Sequence, residues 1–413
     1  MASAAIDHMI SLTVLIAALL IFIGLFSQTM QTGIAYERHS ALSTKTSDLL
    51  DTIMLNPGLP TTWGQSDSAP VGFGLQDPAY RQYIISPFST MRLSSSSEPA
   101  IYYPRLDAYY SNVTAGFGGY LYVPKAQTVN ESAVSKMLGI NGTYGFQIVL
   151  MPTLTISIQK ISSGSPLQFA ISVDGIGSPL ANSPVSYSLI TVNQDSNEYP
   201  SYTLVKGITL TDAAGQIQTP LTFTGIDGDT RSYALIVYSN LNGFKGMGYY
   251  VHVPNSSTKS IIPLIDSFAD RDILLVHSDS VGNHEIIPDS TQLSYNVSFV
   301  ISAEDYNLRQ IQLNQPTEVG ELIYGSGTGQ DYAYLTIPNT NGILIITYKD
   351  TSSGEYGLIL MPWGLGSLAF PLVFGGDDTG HDWVTTDLRQ ITVGGITYQA
   401  KLELWEQSFQ GIS

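Results

Sequence analysis

The sequence predicts a mainly β protein with one long N-terminal α-helix: a helix stalk followed by β-sandwich head domains. Three observations predict it. Residues 9–26 are an almost unbroken apolar run with no charged side chain. Beyond about residue 150, short apolar/polar alternations are separated by Gly, Pro, Asn and Asp, which is the period-2 pattern of half-buried strands. Charged residues are only 12% of the chain, so Ser, Thr, Asn, Gln and 25 Tyr must supply most of the solvated surface.

The first element is the helix. No proline interrupts residues 4–55, and only Gly24 and Gly33 weaken it, until Asn56-Pro57-Gly58 stops it. The apolar run spans roughly 27 Å at ~1.5 Å per residue, close to the hydrocarbon thickness of a bilayer. After it, Ala35, Leu42 and Leu49 recur at intervals of seven, with Leu50, Ile53 and Met54 beside them. Glu37, Arg38, Lys45, Asp48 and Asp51 form the polar side. The element is therefore expected to leave the membrane as an amphipathic helix. A cleaved secretory signal ending near Gly33-Ile34-Ala35 and a plain uncleaved anchor are the alternatives. Arg38 and Lys45, both C-terminal to the run, would place the head in the cytoplasm by the positive-inside rule. The composition and the β-rich head instead favour a head outside the cell.

Ser3-Ala4-Ala5-Ile6-Asp7, the apolar run and the helix to Leu55 together resemble the N-terminal region of archaeal type IV pilin-like surface proteins. So do Asp48-Leu49-Leu50 with Asn56-Pro57-Gly58, Pro60 and Trp63, and Leu138-Gly139-Ile140 with Tyr144-Gly145-Phe146. The resemblance covers about the first 150 residues. It implies a very short leader; if that leader ends at Ala2, Asp7 is the fifth mature residue. In that position an acid pairs with the amino terminus of a neighbouring subunit inside an apolar filament core, where an unpaired charge is costly. Leu12, Leu15, Leu19, Phe22 and Phe26 are then assembly residues. The chain departs from the family pattern in having no Lys, Arg or Gly just before that point.

The head follows in three parts. Residues 56–148 are loop-rich and aromatic, with a short helix expected over 129–138. Residues 149–255 carry alternations at 154–158, 169–173, 185–189, 203–210, 217–223, 233–238 and 249–253, about seven short strands. The phrase from Gly177-Ser178-Pro179 to Tyr187, followed by Thr211-Asp212-Ala213-Ala214-Gly215, resembles prokaryotic Ig-like repeats, with the second phrase expected as a hairpin turn. Residues 256–413 are expected to form a further β-domain, with a long-loop hairpin around 349–354, a Gly394-Gly395 hairpin, and a core strand pair over 363–374. The Ig-like module is either inserted into one head domain or one of three beads in series.

Function classes narrow by exclusion. A net charge of −17 leaves nucleic acid without the clustered Lys and Arg that its phosphates need. With no cysteine, disulfides, thiolate metal sites and Cys nucleophiles are absent, and the surface of a prokaryotic cell is the expected location. His8, His39, His252, His277, His284 and His381 show no metal-ligand spacing. Gly325-Ser326-Gly327-Thr328-Gly329 lacks the lysine of a phosphate loop. Two acidic loops, Asp227-Gly228-Asp229 and Asp377-Asp378-Thr379-Gly380-His381-Asp382-Trp383, are expected to be structural turns, with Ca²⁺ as the alternative occupant of either. The second also resembles a single Asp-box hairpin of sialidases. Asn112, Asn130, Asn141, Asn255 and Asn296 open Asn-x-Ser/Thr glycosylation triplets, although a chain this rich in Ser and Thr produces several by composition alone. The expectation is a non-enzymatic, cofactor-free, single-pass surface protein. It is a pilin-like filament subunit that meets its own copies or related subunits, or else a solitary membrane-anchored adhesin, with glycans as candidate head ligands.

Overall fold

The computed structural model describes residues 2–407 apart from 81, 94–99, 113–120, 163, 196–197, 255–259, 279, 283–284, 288–291, 303–307, 312, 314–318, 324–331, 368, 378 and 380–382. The protein is mainly β, with one long helix followed by sandwich-like sheets. That helix, α1 (Ala2–Leu55), runs 54 residues, about 81 Å. It ends where expected. The Gly58 amide donates to Asn56 Oδ1 at 2.9 Å, and Gly58 takes φ +83° against the Trp63 ring, where a Cβ would clash.

The last third of α1 docks on a five-stranded sheet. Its strands run in the order Ile84–Ile85, Val384–Val393, Ile396–Glu406, Tyr144–Pro152, Leu372–Gly375. Leu42, Thr46, Leu49, Leu50, Ile53 and Met54 are buried against it, a stripe at helical spacing. Gly394 and Gly395 both have positive φ between the paired Val393 and Ile396, as a two-residue hairpin turn requires.

The strand Tyr144–Pro152 settles the connectivity of the head. It pairs antiparallel with Ile396–Glu406, some 250 residues later, while the chain between them leaves for the sandwich and returns. That sandwich packs Leu154–Lys160, Leu167–Gly175 and Leu221–Phe223 against Tyr202–Leu210, Pro184–Val192, Tyr233–Leu241 and Phe244–His252. It is an insertion in a larger head. Thr211–Gly215 is a tight turn, with Asp212 Oδ1 accepting from the Ala214 and Gln216 amides and Gly215 at φ +73°. It is the hairpin turn that the phrase suggested, closed by an antiparallel bridge between Thr211 and Ile217 with the Asp212 amide donating to the Gln216 carbonyl at 2.7 Å, and it also carries the chain from one sheet to the other. The Gly215 approach to the Val173 carbonyl sets that crossing. The sandwich core centres on Phe169, whose ring meets those of Phe223, Tyr233 and Tyr250 edge-on at 5.5–6.4 Å. Phe169→Ala is expected to destabilise the protein by about 3–5 kcal/mol, read by denaturant unfolding.

The rest of the head interleaves the segments on either side of the insertion. An eight-stranded sheet runs in the order Ser280–Gly282, Glu285–Ile287, Ile101–Tyr103, Ala108–Asn112, Tyr122–Pro124, Ser260–Ser267, Asp272–Ser278, Tyr332–Thr336. A five-stranded sheet is built from Leu308–Ile311, Gln292–Ser302, Gly342–Asp350 and Tyr356–Trp363, with Val319–Ile323 also on Gln292–Ser302. Residues 56–148 and 256–413 therefore share sheets and a core that extends from Leu42 of α1 to Leu404. Residues 363–374 are core but not a strand pair. Trp363 ends one sheet, a turn at Leu365–Ser367 follows, and Leu372–Gly375 joins the docking sheet. A short helix α2 (Pro87–Met91) and α3 (Glu131–Met137) complete the head. α3 begins at Asn130, whose side chain accepts from the Ala133 amide.

Two packing devices recur. Gly145, Gly207, Gly320 and Gly357 each lie directly opposite an aromatic residue on the neighbouring strand: Trp405, Tyr187, Tyr295 and Tyr348. A Cβ at any of the four would enter that ring, so the ring covers the glycine and fills the missing side-chain volume. The second device is a buried cation. Arg92 is 0% exposed and lies between the Trp63 and Phe268 rings, at 5.4 and 5.5 Å. Its guanidinium donates to the carbonyls of Gln127 (2.8 Å), Ser66 (2.6 Å), Ser68 (2.9 Å) and Trp63.

Candidate functional site

The feature that distinguishes this molecule is α1 and its junction with the head. The apolar residues between Met9 and Ile34 are exposed all round the helix, including Leu12, Leu15, Leu19, Phe22 (69% exposed) and Phe26. In water such a surface is unfavourable; in hydrocarbon it needs no further cover, provided the backbone is satisfied internally, as it is in a helix. The threonine hydroxyls within this stretch are satisfied too. Thr13, Thr29 and Thr32 donate to the carbonyls of Met9, Leu25 and Gln28, four residues back, at 2.8–2.9 Å. α1 is thus long and apolar enough to cross a membrane and is a candidate anchor. The side chain of Asp7 lies outside the described residues.

Between the apolar run and the docked stripe, residues 27–41 form an uncovered neck. Below the dock, His39 and the 51%-exposed Trp383 approach with ring centroids 6.4 Å apart. At the dock, Arg389 fastens helix to sheet. Its Nε donates to Asp51 Oδ1 at 2.9 Å, one Nη to Asp387 at 2.8 Å and the other to Ser47 Oγ at 3.0 Å. Tyr83 adds a hydrogen bond to Asp51 at 3.1 Å, and the Thr46 and Thr385 hydroxyls bond across the interface. The bond to Asp51, opposed by desolvation and reinforced by Asp387, raises the Arg389 pKa. Burial alone would lift the Asp387 carboxyl, but hydrogen bonds from Arg389 and the Leu388 amide outweigh it and hold it below the usual carboxylate range. A depressed acid stabilises the fold above its unfolded pKa, near ~4, and loses that contribution as pH falls through the folded value. Acid titration of full-length protein should therefore show stability falling below about pH 4, and Asp387→Asn should flatten that part of the profile. Sequence reasoning missed Arg389 and Asp387, which lie in the strand Val384–Val393, where their spacing of two puts both on one face, in a chain with only 17 basic residues.

The other sequence candidates are scattered. In Asp227-Gly228-Asp229, Asp229 forms a salt bridge with Lys160 and accepts from the Gly164 amide at 2.9 Å, and Asp227 accepts from the Asp229 amide at 2.9 Å. The bond from Lys160, against some desolvation, lowers the Asp229 pKa. A lysine ammonium thus takes the carboxylate oxygen that a Ca²⁺ ion would need. Of the second acidic loop, Asp378, Gly380, His381 and Asp382 lie outside the described residues, as does Gly325–Gly329; Asp377 accepts from the Thr379 amide at 3.0 Å. Among the described residues no group of three or more metal-ligating side chains comes together. Of the glycosylation triplets, Asn141 is exposed in a turn and Asn130 is exposed as the α3 cap. Asn296 is half-buried in a strand paired on both sides. Asn255 and the side chain of Asn112 lie outside the described residues.

No family model matches this sequence, and no curated protein matches it. Solved structures with partial overlap include a point mutant of Salmonella alpha-2-macroglobulin, at 9% identity and TM-score 0.22, covering 57% of this chain. Red sea bream transglutaminase overlaps 63% of this chain at 8% identity and TM-score 0.19. The chain spans 17% and 38% of the length of these two proteins, and overlaps with such scores say nothing about its activity.

Proposed function

We propose that this protein is a non-enzymatic cell-surface structural protein, a pilin-like subunit that assembles through its N-terminal helix and exposes its β-head. The observation that carries this reading is the division of labour along one uninterrupted helix. Between residues 9 and 26 it is apolar on every side and exposed throughout among the described residues, while its last third is part of the head core. A helix fixed so firmly at one end delivers the head to whatever the other end packs into, a bilayer first and sister helices second. Lipid is already apolar, so transfer from bilayer to helix bundle is driven by shape packing and by polar pairing, for which Asp7 is the available acid.

Two measurements test it. Mass spectrometry of the native N-terminus should find a start between Ser3 and Ile6, with α1 retained. Asp7→Asn should abolish filaments visible by electron microscopy while leaving membrane-bound subunit at wild-type levels. Filaments unaffected by Asp7→Asn, or an unprocessed start with no filaments, would favour the solitary anchored adhesin instead.

A further inference from the structure

The neck of α1 has a side, and that side points away from its own head. At ~100° per residue, Leu42, Thr46, Leu49, Leu50 and Ile53 define the head-facing line. Carried down into the neck, that line passes Gln28, Gln31, Ala35 and His39. Met30, Ile34 and Ala41 lie roughly 100–150° round from it, with Met30 52% and Ile34 50% exposed. The neck is therefore amphipathic, unlike the run below it, and its apolar stripe is not the one its own head covers. Placing residues 9–28 in hydrocarbon fills ~30 Å, so Met30 and Ile34 emerge at the membrane surface, where lipid no longer shields them.

Charge marks what covers this stripe. Glu37 and Asp48 lie on one flank of it, and Arg38 and Lys45 on the other; all four are exposed, and none has an ion-pair partner among the described residues. Two copies standing side by side in parallel, as copies anchored in one membrane must, bring the acidic flank of one against the basic flank of the next. We propose that the Met30–Ile34–Ala41 stripe is the contact between neighbouring copies of this chain, set in register by Glu37 and Asp48 of one copy against Arg38 and Lys45 of the other. This inference rests on the reading of the chain as a subunit that meets its own kind, but it concerns the neck alone.

The absence of cysteine allows a direct test in the full-length protein. Single Met30→Cys and Ile34→Cys variants, mildly oxidised in membranes of the producing cells, should give disulfide-linked dimers in several-fold higher yield than Gln28→Cys or Ala35→Cys on the head-facing line. Adding Glu37→Arg to Ile34→Cys should lower its yield several-fold, and adding Arg38→Glu as well should restore it. Equal yields on the two sides, or yields indifferent to the charge reversal, overturn the proposal. Electron microscopy of the same cells separates it from the filament reading. Filaments with positions 30 and 34 uncrosslinked eliminate this contact and leave that reading intact. Crosslinks at 30 and 34 in cells without filaments support the contact and eliminate the filament.

Discussion

Deleting residues 2–34 is expected to move the protein from the membrane fraction into the soluble fraction quantitatively. The Leu, Ile, Val and Phe residues between positions 9 and 26 together favour insertion by roughly 4–7 kcal/mol on a translocon scale, and no other described part of the chain has a comparable helix. A single charge should weaken the anchor without removing it. Leu19→Arg, near the centre of the run, costs about 3–4 kcal/mol on the same scale. Alkaline extraction of membranes should then leave wild type in the pellet, divide Leu19→Arg between pellet and supernatant, and release the deletion completely. The docked stripe from Leu42 onward stays in the deletion variant, so its head should give the same denaturant midpoint as wild type. A deletion variant still bound to membranes would show that the head, rather than α1, provides the attachment.

The second large effect is expected at Arg92. Replacing it with Leu keeps an apolar stem between Trp63 and Phe268 but removes the guanidinium from the carbonyls of Trp63, Ser66, Ser68 and Gln127. The Trp63 carbonyl keeps the Ser66 amide and Ser68 is exposed, so the half-buried Ser66 and Gln127 carbonyls lose most. Each such orphan costs ~1–3 kcal/mol, and partial relaxation toward water reduces the sum, so about 2–4 kcal/mol of destabilisation is expected. Burial lowers the guanidinium pKa to about 10, with Asp67 opposing the shift. The charge is therefore costly in itself and is retained for the four bonds it makes. Arg92→Lys should recover only a minority of the loss, because an ammonium has three donors and no planar fork. Denaturant unfolding of the three proteins side by side is the measurement. A loss below about 1 kcal/mol for Arg92→Leu would mean that the loop at 63–68 is held by other contacts.

Much of the architecture was legible because it is written locally. The apolar run, the stop at Asn56-Pro57-Gly58, the Gly394-Gly395 turn and the sandwich strands each depend on residues within a few positions of one another. Most strand bounds were extended, 185–189 becoming Pro184–Val192, whereas 217–223 shortened to Leu221–Phe223 and 249–253 shifted to Phe244–His252. The heptad echo of Leu42 and Leu49 correctly named the residues the head buries. The hairpin turn at Thr211–Gly215 is present, closed by the Thr211–Ile217 bridge, but a turn signal fixes the local bend and not which sheet receives the next strand. The acidic loop at Asp227–Asp229 was legible as a turn, but Lys160, the residue that engages it, lies more than sixty positions away.

By itself, then, the sequence determined that a membrane-compatible helix leads into β-structure, where that helix ends, and which faces of its strands are apolar. Those properties follow from backbone sterics and the periods of helix and strand. Only the tertiary structure decided that Tyr144–Pro152 belongs beside Ile396–Glu406, that the sandwich is an insertion, that Arg92 and Arg389 tie distant segments together, and which side of the neck is left for a neighbour. Periodicity says which residues turn inward. It does not say against what, because pairing between strands hundreds of residues apart is selected by the complementarity of whole surfaces, with loop closure offset only once the full core has formed.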